Sequence, residues 1–361
     1  MDDAYRETYL RLLQWKGRVP LAQWPEDLKA AFQHAARVLA MNQETPDFPP
    51  VVYIEPTNAC NCNCVICPRQ NMTRKTGKMA MGLFLKILDD IALAGPSEIH
   101  LFNFGEPTIH PELAAMIRAC RERKLTASFQ TNGINLQREK VLEWLEAGLT
   151  YLGVSVNGLN AGEYETIRPG HSFAQLRENL MTLRKIIDES GHACQVHIAA
   201  QVTKQDVAAR NADVETYKRT WFPVADSLSI FGISEYDHVY MVSGNQMSEN
   251  QLEGRIRKPD ASVRCTEPFD RLVIKWDGRA TVCCVDYDAR MVVGDFTTQS
   301  LREIWHSPKL NNIRATMRTQ NFSRLPLCRS CPKFYSESFT LFFKKTRPAR
   351  HPSPVPVEAA I

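Results

Sequence analysis

No run of apolar residues in this 361-residue chain approaches the ~20 that a helix needs to cross a bilayer, so no membrane partner is expected. The opening MDDAYRETYL is polar and acidic and has no signal-type apolar core. Charge of one sign is not in excess either. The 44 basic and 40 acidic residues leave +4, too little for the electrostatic footprint of a nucleic-acid binder. Hydrophobic residues at 44% and charged ones at 23% exclude general disorder and collagen-like or coiled-coil chains. No internal repeat is found. What the chain does have is cysteine, eleven of them. Without a secretory signal these are better read as metal ligands or catalytic thiols than as disulfides, and a cytoplasmic location is expected.

The pattern along the chain divides it into five stretches. Residues 1–48 read as a helical extension, with Pro25, Glu26 and Asp27 suited to a first turn and Leu28, Phe32, Ala35, Ala36 and Leu39 on one face. The turn-rich QETPDFPP at Gln43–Pro50 marks a boundary. Over 49–242 strand and helix patterns alternate. Strands are expected at Val51–Glu55, Glu98–Phe102, Thr126–Gln130, Tyr151–Val156, Gln195–Val202 and Ser227–Phe231. Helices are expected at Met81–Leu93, Pro111–Arg123, Leu136–Ala147, Phe173–Glu189 and Asp206–Thr220. Such alternation predicts an α/β fold with a parallel sheet, doubly wound or closed as a barrel. Either form gathers its chemistry at the C-terminal strand ends. Residues 243–259 are polar and irregular, a linker. Residues 260–340 change character, with a hairpin (Leu272–Trp276, Asp277-Gly278, Ala280–Cys283) and a helical segment, Leu301–Met317. The basic, proline-rich 341–361 is expected to lack structure.

Directly after the first strand stands Cys60-Asn-Cys-Asn-Cys64-Val-Ile-Cys67. Soft thiolates suit an iron–sulfur cluster or zinc. A closed zinc site needs four ligands, commonly as two separated pairs, whereas this loop offers three thiolates in C-x3-C-x2-C spacing. Cys62 sits two residues from both Cys60 and Cys64, cramped for sharing one tetrahedral ion. Three cysteines on a cluster leave one iron open.

Further motifs fall at successive strand ends: Phe104-Gly-Glu-Pro107, Gln130-Thr-Asn-Gly133, Ser155-Val-Asn157 and then Tyr164-Glu-Thr-Ile-Arg168. In this order, with the cysteine loop, they resemble the radical S-adenosylmethionine (SAM) superfamily. The resemblance implies a partial (β/α)6 parallel barrel. It implies that Cys60, Cys64 and Cys67 hold a [4Fe–4S] cluster whose open iron chelates SAM. One electron then cleaves the S–C5′ bond, and the resulting 5′-deoxyadenosyl radical takes a substrate hydrogen. It further implies that Gly105, Glu106 and Pro107 lie by the methionine amino group, Gln130, Asn132, Ser155 and Asn157 near the ribose, and Arg168 by the methionine carboxylate. Phe104 departs from the family's GGE-type pattern, replacing its first glycine, with slight consequence expected.

Four more cysteines, Cys265, Cys283, Cys328 and Cys331, together with Gly294-Asp and Ser300-Leu-Arg-Glu-Ile-Trp305, resemble a SPASM-type auxiliary-cluster domain. Their number implies the single-cluster version, a second [4Fe–4S] with four cysteine ligands. A four-cysteine zinc ribbon is the alternative by spacing. Cys62, Cys120, Cys194 and Cys284 are left over. Cys120 and Cys194 read as buried small hydrophobes. Cys284 would point away from Cys283 if the strand continued, free to return a hydrogen atom to a substrate radical. Asp286 and Asp270 are acidic candidates for a base.

The resemblance implies an oxidoreductase acting on a small polar substrate such as a sugar, cyclitol or aminoglycoside precursor. A reducing partner of the flavodoxin or ferredoxin type is implied as well. A peptide-modifying enzyme, an epimerase using a cysteine hydrogen donor, and a zinc-stabilised binding scaffold are the alternatives.

Overall fold

The computed structural model describes residues 45–95, 97–203, 211–233, 265–319, 321–328, 331 and 340–345. The helix expected over 1–44, the linker at 243–259 and the tail beyond 345 lie outside the described residues.

Six parallel strands follow one another in space as in sequence: β1 (Val51–Ile54), β2 (Glu98–His100), β3 (Thr126–Thr131), β4 (Tyr151–Ser155), β5 (Gln195–Thr203) and β6 (Ser227–Ile233). The crossovers carry α1 (Met81–Ala94), α2 (Leu113–Glu122), α3 (Arg138–Ala147), α4 (Ala161–Ile167), α5 (Phe173–Ser190) and α6 (Asn211–Trp221). This is the expected α/β partial barrel. Its core follows from the two periodicities. Val52, Ile54, Ile99, Phe129, Leu152, Val154, Val196 and Ile198 occupy one face of the strands. They pack into a single cluster with helix residues such as Phe84, Ile91, Met116, Trp144, Leu180 and Leu183. α5 shows why a helix forms there: Ser172 caps it by accepting from the Gln175 amide, Leu176, Leu180, Leu183 and Ile187 bury one stripe, and Gly191 ends it at φ 71°. The opposite strand face is polar and aromatic, carrying Tyr53, His100, Ser128 and His197, and it leads at the strand ends to Gln130, Ser155 and Gln201.

The C-terminal part extends the same sheet. β7 (Arg271–Ile274) lies parallel to β1, in register Val51↔Arg271 to Ile54↔Ile274. β8 (Arg279–Thr281) and β9 (Gly294–Asp295) then continue it antiparallel. At the other edge β10 (Thr340–Lys344) pairs antiparallel with β6. The result is one ten-stranded sheet, β10-β6-β5-β4-β3-β2-β1-β7-β8-β9.

Several expectations are corrected in detail. Residues 341–344 are strand, not unstructured tail, because β6 offers an open edge to pair with. Residues 45–50, part of the expected extension and boundary, are irregular and pinned at both ends. Trp305 Nε1 donates to Pro46 O at 2.7 Å, and Ser97 Oγ donates to Pro49 O at 2.8 Å. After a short α7 (Glu267–Asp270), the single helix expected over Leu301–Met317 is two, α8 (Leu301–Trp305) and α9 (Pro308–Thr319). Proline at the first position of α9 begins a new helix, with Ser307 Oγ accepting from the Leu310 amide at 3.2 Å. α4, within the Y-x-x-I-R segment, was not anticipated as a helix. Asn160 caps it through the Glu163 amide.

Candidate functional site

Around the C-terminal ends of β1 to β5 lies a cavity of about 220 Å³. Cys60, Cys64 and Cys67 reach it from the loop after β1, Gly105 and Glu106 from the end of β2, Gln130 and Asn132 from β3, Ser155 and Asn157 from β4, and Arg168 from the end of α4. The wall also includes Cys62, Arg69, Phe102, Asn103, Phe104 and Gln201. Pro107 is not in the wall; it opens a short 3-10 turn, Pro107–Ile109, behind it.

The cysteine loop is tied to the motifs that face it. The Val65 amide donates to Ile167 O at 2.9 Å. Asn132 Nδ2 donates to Asn61 Oδ1 at 2.7 Å, and Arg69 donates to Asn63 Oδ1 at 2.6 Å. Gly105 has φ +112°, and a Cβ there would stand 2.2 Å from Thr57 O. Only glycine lets the β2 end come so close to the loop. Glu106 is the local organiser. Its buried carboxylate accepts from Thr108 N (3.2 Å), Thr108 Oγ1 (2.7 Å), Thr131 Oγ1 (2.7 Å) and Asn132 N (2.8 Å). Burial still pushes it above the ordinary carboxylate range.

Arg168 is almost fully buried. Its Nη1 donates to Asn132 O at 2.8 Å and its Nη2 to Ser155 O, so it clamps the ends of β3 and β4 together. Its Nε is buried with no acceptor, while the guanidinium also bears on the Tyr164 and Cys64 side chains. As a cation in the cavity lining, Arg168 suits an anionic group there, as the carboxylate of a SAM methionine would be.

The three thiols differ. Burial pushes Cys67 up to about 11 and raises Cys60. A hydrogen bond from the Cys62 thiol, 3.4 Å away, holds Cys64 down at about 6, aided by Arg168 and opposed by burial. Sequence reasoning had set Cys62 aside as spare, although its C-x-C spacing to both neighbours was legible. Three soft donors in a partly desolvated loop fit an iron–sulfur cluster, whose iron charge offsets what burial costs the thiolates.

The second set also comes together. Cys265 acts electrostatically on Cys283 and on Cys328, and Cys331 acts on Cys328. All four are partly buried, a donor set of sulfur alone that fits a fully ligated cluster. Among the described residues, no three His, Cys, Asp or Glu side chains stand at the spacing of a single bound ion.

Cys284 departs from expectation. β8 stops at Thr281, so Cys283 and Cys284 lie in a turn and their thiols meet in a hydrogen bond instead of pointing apart. Neither Cys284 nor the two aspartates line the cavity. Asp286 is fully buried and accepts from the Arg290 (2.8 Å) and Met291 (2.9 Å) amides, which shapes the turn after Cys283. Asp270 pairs with Arg271 at 3.0 Å, at the opposite end of β7 from the cavity. Cys120 and Cys194 are buried, as expected.

Three features were not anticipated. Glu55 and Arg74 form a bidentate, buried ion pair at 2.9 Å and 2.9 Å, and Arg74 Nε reaches Tyr287 O at 2.7 Å. Phe104 stacks edge-on against Tyr287. Lys275 is buried between Asn103 of the cavity wall and the turn of Cys283. The last had a sequence signal, a cation closing the apolar run RLVIK.

Residues 54–199 match the family model of the radical SAM superfamily, and residues 265–332 match that of SPASM, an iron-sulfur cluster-binding domain. Among curated proteins, the chain is 32% identical over 158 residues to the tungsten-containing aldehyde ferredoxin oxidoreductase cofactor-modifying protein of Pyrococcus furiosus, covering 43% of this chain and 44% of that one. It is 28% identical over 120 residues to the PqqA peptide cyclase of Bradyrhizobium diazoefficiens, covering 33% and 31%. The match thus spans under half the length of each relative. Among solved structures, Streptococcus suis SuiB bound to precursor peptide SuiA shares the fold, with TM-score 0.57 and 16% identity over 80% of this chain and 72% of that one. No helix among the described residues is long and apolar enough to cross a membrane.

Proposed function

The chain belongs to the radical SAM superfamily and carries a SPASM domain, and on that premise we propose that it is an oxidoreductase for a small polar substrate. Its cofactors are SAM and two [4Fe–4S] clusters. We assign the first cluster to Cys60, Cys64 and Cys67 and the auxiliary one to Cys265, Cys283, Cys328 and Cys331. When bound, these groups supply hydrogen-atom abstraction from carbon and an acceptor for the second electron.

The chain's own residues do the rest. Arg168 faces the methionine carboxylate with its positive charge. Gln130, Ser155 and Asn157 hold the sugar of the nucleoside, and Glu106 keeps the ends of β2 and β3 rigid. Phe104, closed over by Tyr287, excludes water from the cavity. A flavodoxin- or ferredoxin-type protein delivers the electron.

One observation carries the oxidative reading: β7 pairs with β1, and Asn103 in the cavity wall donates from Nδ2 to Cys284 O at 2.9 Å. The turn that carries Cys283 therefore meets the cavity wall at Asn103, which supports an electron path from the substrate to the auxiliary group. A substrate of sugar or cyclitol type suits the polar Asn103 and Gln201 in the wall.

A peptide substrate is the second reading, favoured by the resemblance to a PqqA peptide cyclase and by the fold shared with SuiB. The deciding experiment incubates anaerobic, reduced enzyme and SAM with panels of polyols, aminocyclitols and peptides, and follows 5′-deoxyadenosine and product mass. A dehydrogenated polyol supports the first reading and a modified peptide the second. A product of unchanged mass in ordinary water that carries solvent deuterium when made in heavy water would overturn oxidation in favour of epimerisation.

A further inference from the structure

Lys275 follows β7 directly, and its side chain is completely buried. The ammonium donates to Asn103 Oδ1 at 2.7 Å and stands 5.9 Å from the centroid of the Phe104 ring. Asn103 in turn donates to Cys284 O at 2.9 Å. Lys275 therefore sits between the cavity wall and the turn that presents Cys283.

Its charged neighbours are Glu55, Arg74 and Asp286, and of the two carboxylates Glu55 already has its charge balanced by Arg74. Arg74 binds both oxygens of Glu55, and the Asp286 carboxylate accepts two backbone amides. An ammonium sealed from water against a neutral amide and an aromatic face is costly, and Asp286, in the same turn as Cys283, offsets only one charge. The groups its charge reaches include the Cys283 and Cys284 thiols. The charges that bear most on Cys60, Cys64 and Cys67 come instead from Glu106, Arg69, Arg168 and those thiols themselves.

A cubane cluster held by four thiolates is anionic and gains a further negative charge on reduction. We propose that Lys275 is the fixed counter-charge of the auxiliary cluster and raises its reduction potential, so that this cluster accepts an electron more readily. Lys275 is thus a positioning residue acting by electrostatics through the low-dielectric interior. Asn103 holds it in place and also faces the cavity. The inference rests on the assignment of the four C-terminal cysteines to a cluster.

The test is an anaerobic redox titration followed by electron paramagnetic resonance. It uses the full chain with Cys60, Cys64 and Cys67 changed to alanine, so that only the auxiliary cluster reports. In that background Lys275→Gln keeps a hydrogen bond to Asn103 but loses the charge, and Lys275→Arg keeps the charge. Asn103→Asp places an anion against the ammonium and offers a second route to neutralising it. Lys275→Gln and Asn103→Asp are expected to shift the midpoint to more negative potential at full iron loading, while Lys275→Arg stays near the parent. An unmoved midpoint in whichever neutralising variant loads its cluster would overturn the proposal. A parent with no cluster signal would overturn the ligand assignment itself, and the proposal with it.

Discussion

Phe104 and Tyr287 meet edge to face, their ring centroids 5.9 Å apart at an interplanar angle of 74°. One ring opens the motif after β2, and the other belongs to the turn that follows Cys283 and Cys284. Where the superfamily's motif has a small residue, this chain places an aromatic bridge between its two cysteine groups.

Phe104→Gly restores the family pattern and removes that bridge. The variant is expected to lose about 2 kcal/mol of stability, from a half-buried ring and one aromatic pair, and to keep its affinity for SAM. Denaturant midpoints and equilibrium dialysis under anaerobic conditions measure the two effects. A large loss of SAM affinity would mean that Phe104 is part of the cofactor site.

The two cysteine groups predict two separable losses. Replacing Cys60, Cys64 and Cys67 by alanine abolishes 5′-deoxyadenosine formation but leaves the auxiliary share of iron and sulfide. Replacing Cys328 and Cys331 has the reverse effect on metal content and spares reductive cleavage of SAM. Iron and sulfide analysis with product chromatography checks both. Cleavage surviving the first replacement would remove these thiols from the site.

Arg74→Met leaves Glu55 buried without its bidentate partner and is expected to cost about 3–5 kcal/mol. The double variant Glu55→Leu with Arg74→Met is expected to recover a substantial part of that loss, because the stranded charge is gone. Urea unfolding of the three proteins tests this. A double variant as weak as the single one would show that the pair's bonds to Tyr287 O and Trp276 N matter more than its charge.

Asp288 accepts from the amides of Thr73 (2.8 Å) and Arg74 (3.0 Å) and from the Thr73 hydroxyl (2.6 Å), tying the auxiliary turn to the segment after the first cysteine loop. Burial pushes its carboxyl up, but these hydrogen bonds outweigh burial and hold it below the ordinary range. A depressed carboxylate contributes stability above its unfolded value and loses it as pH falls through the folded one. Asp288→Ala is therefore expected to cost about 1 kcal/mol at pH 7 after solvent screening. The gap from the parent protein should close below about pH 4. A gap independent of pH would assign the effect to packing.

Much of this was legible because the motifs are local. Each of C-x3-C-x2-C, GEP, TNG and S-V-N lies at the end of a strand whose alternation can be read residue by residue. A parallel sheet in sequence order then brings those ends to one cavity. The helix break at Ser307-Pro308 was equally local and was passed over in favour of an unbroken apolar period. Cys284 was misread for a different reason. Its direction depended on whether β8 ran on from Thr281 as far as Cys284, and strand ends are set by pairing with β7 and β9, not by propensity.

The amino-acid sequence alone determined the family, the barrel and the two groups of cysteines, because spacing within a loop and order along a sheet survive without coordinates. The tertiary structure decided how the groups relate. β7 lies against β1, Asn103 reaches Cys284, Phe104 reaches Tyr287, and buried Lys275 reaches Asn103. Each of these contacts joins residues more than 170 positions apart. No period or motif encodes such a contact; it exists only because sheet pairing brings the two ends of the chain into register.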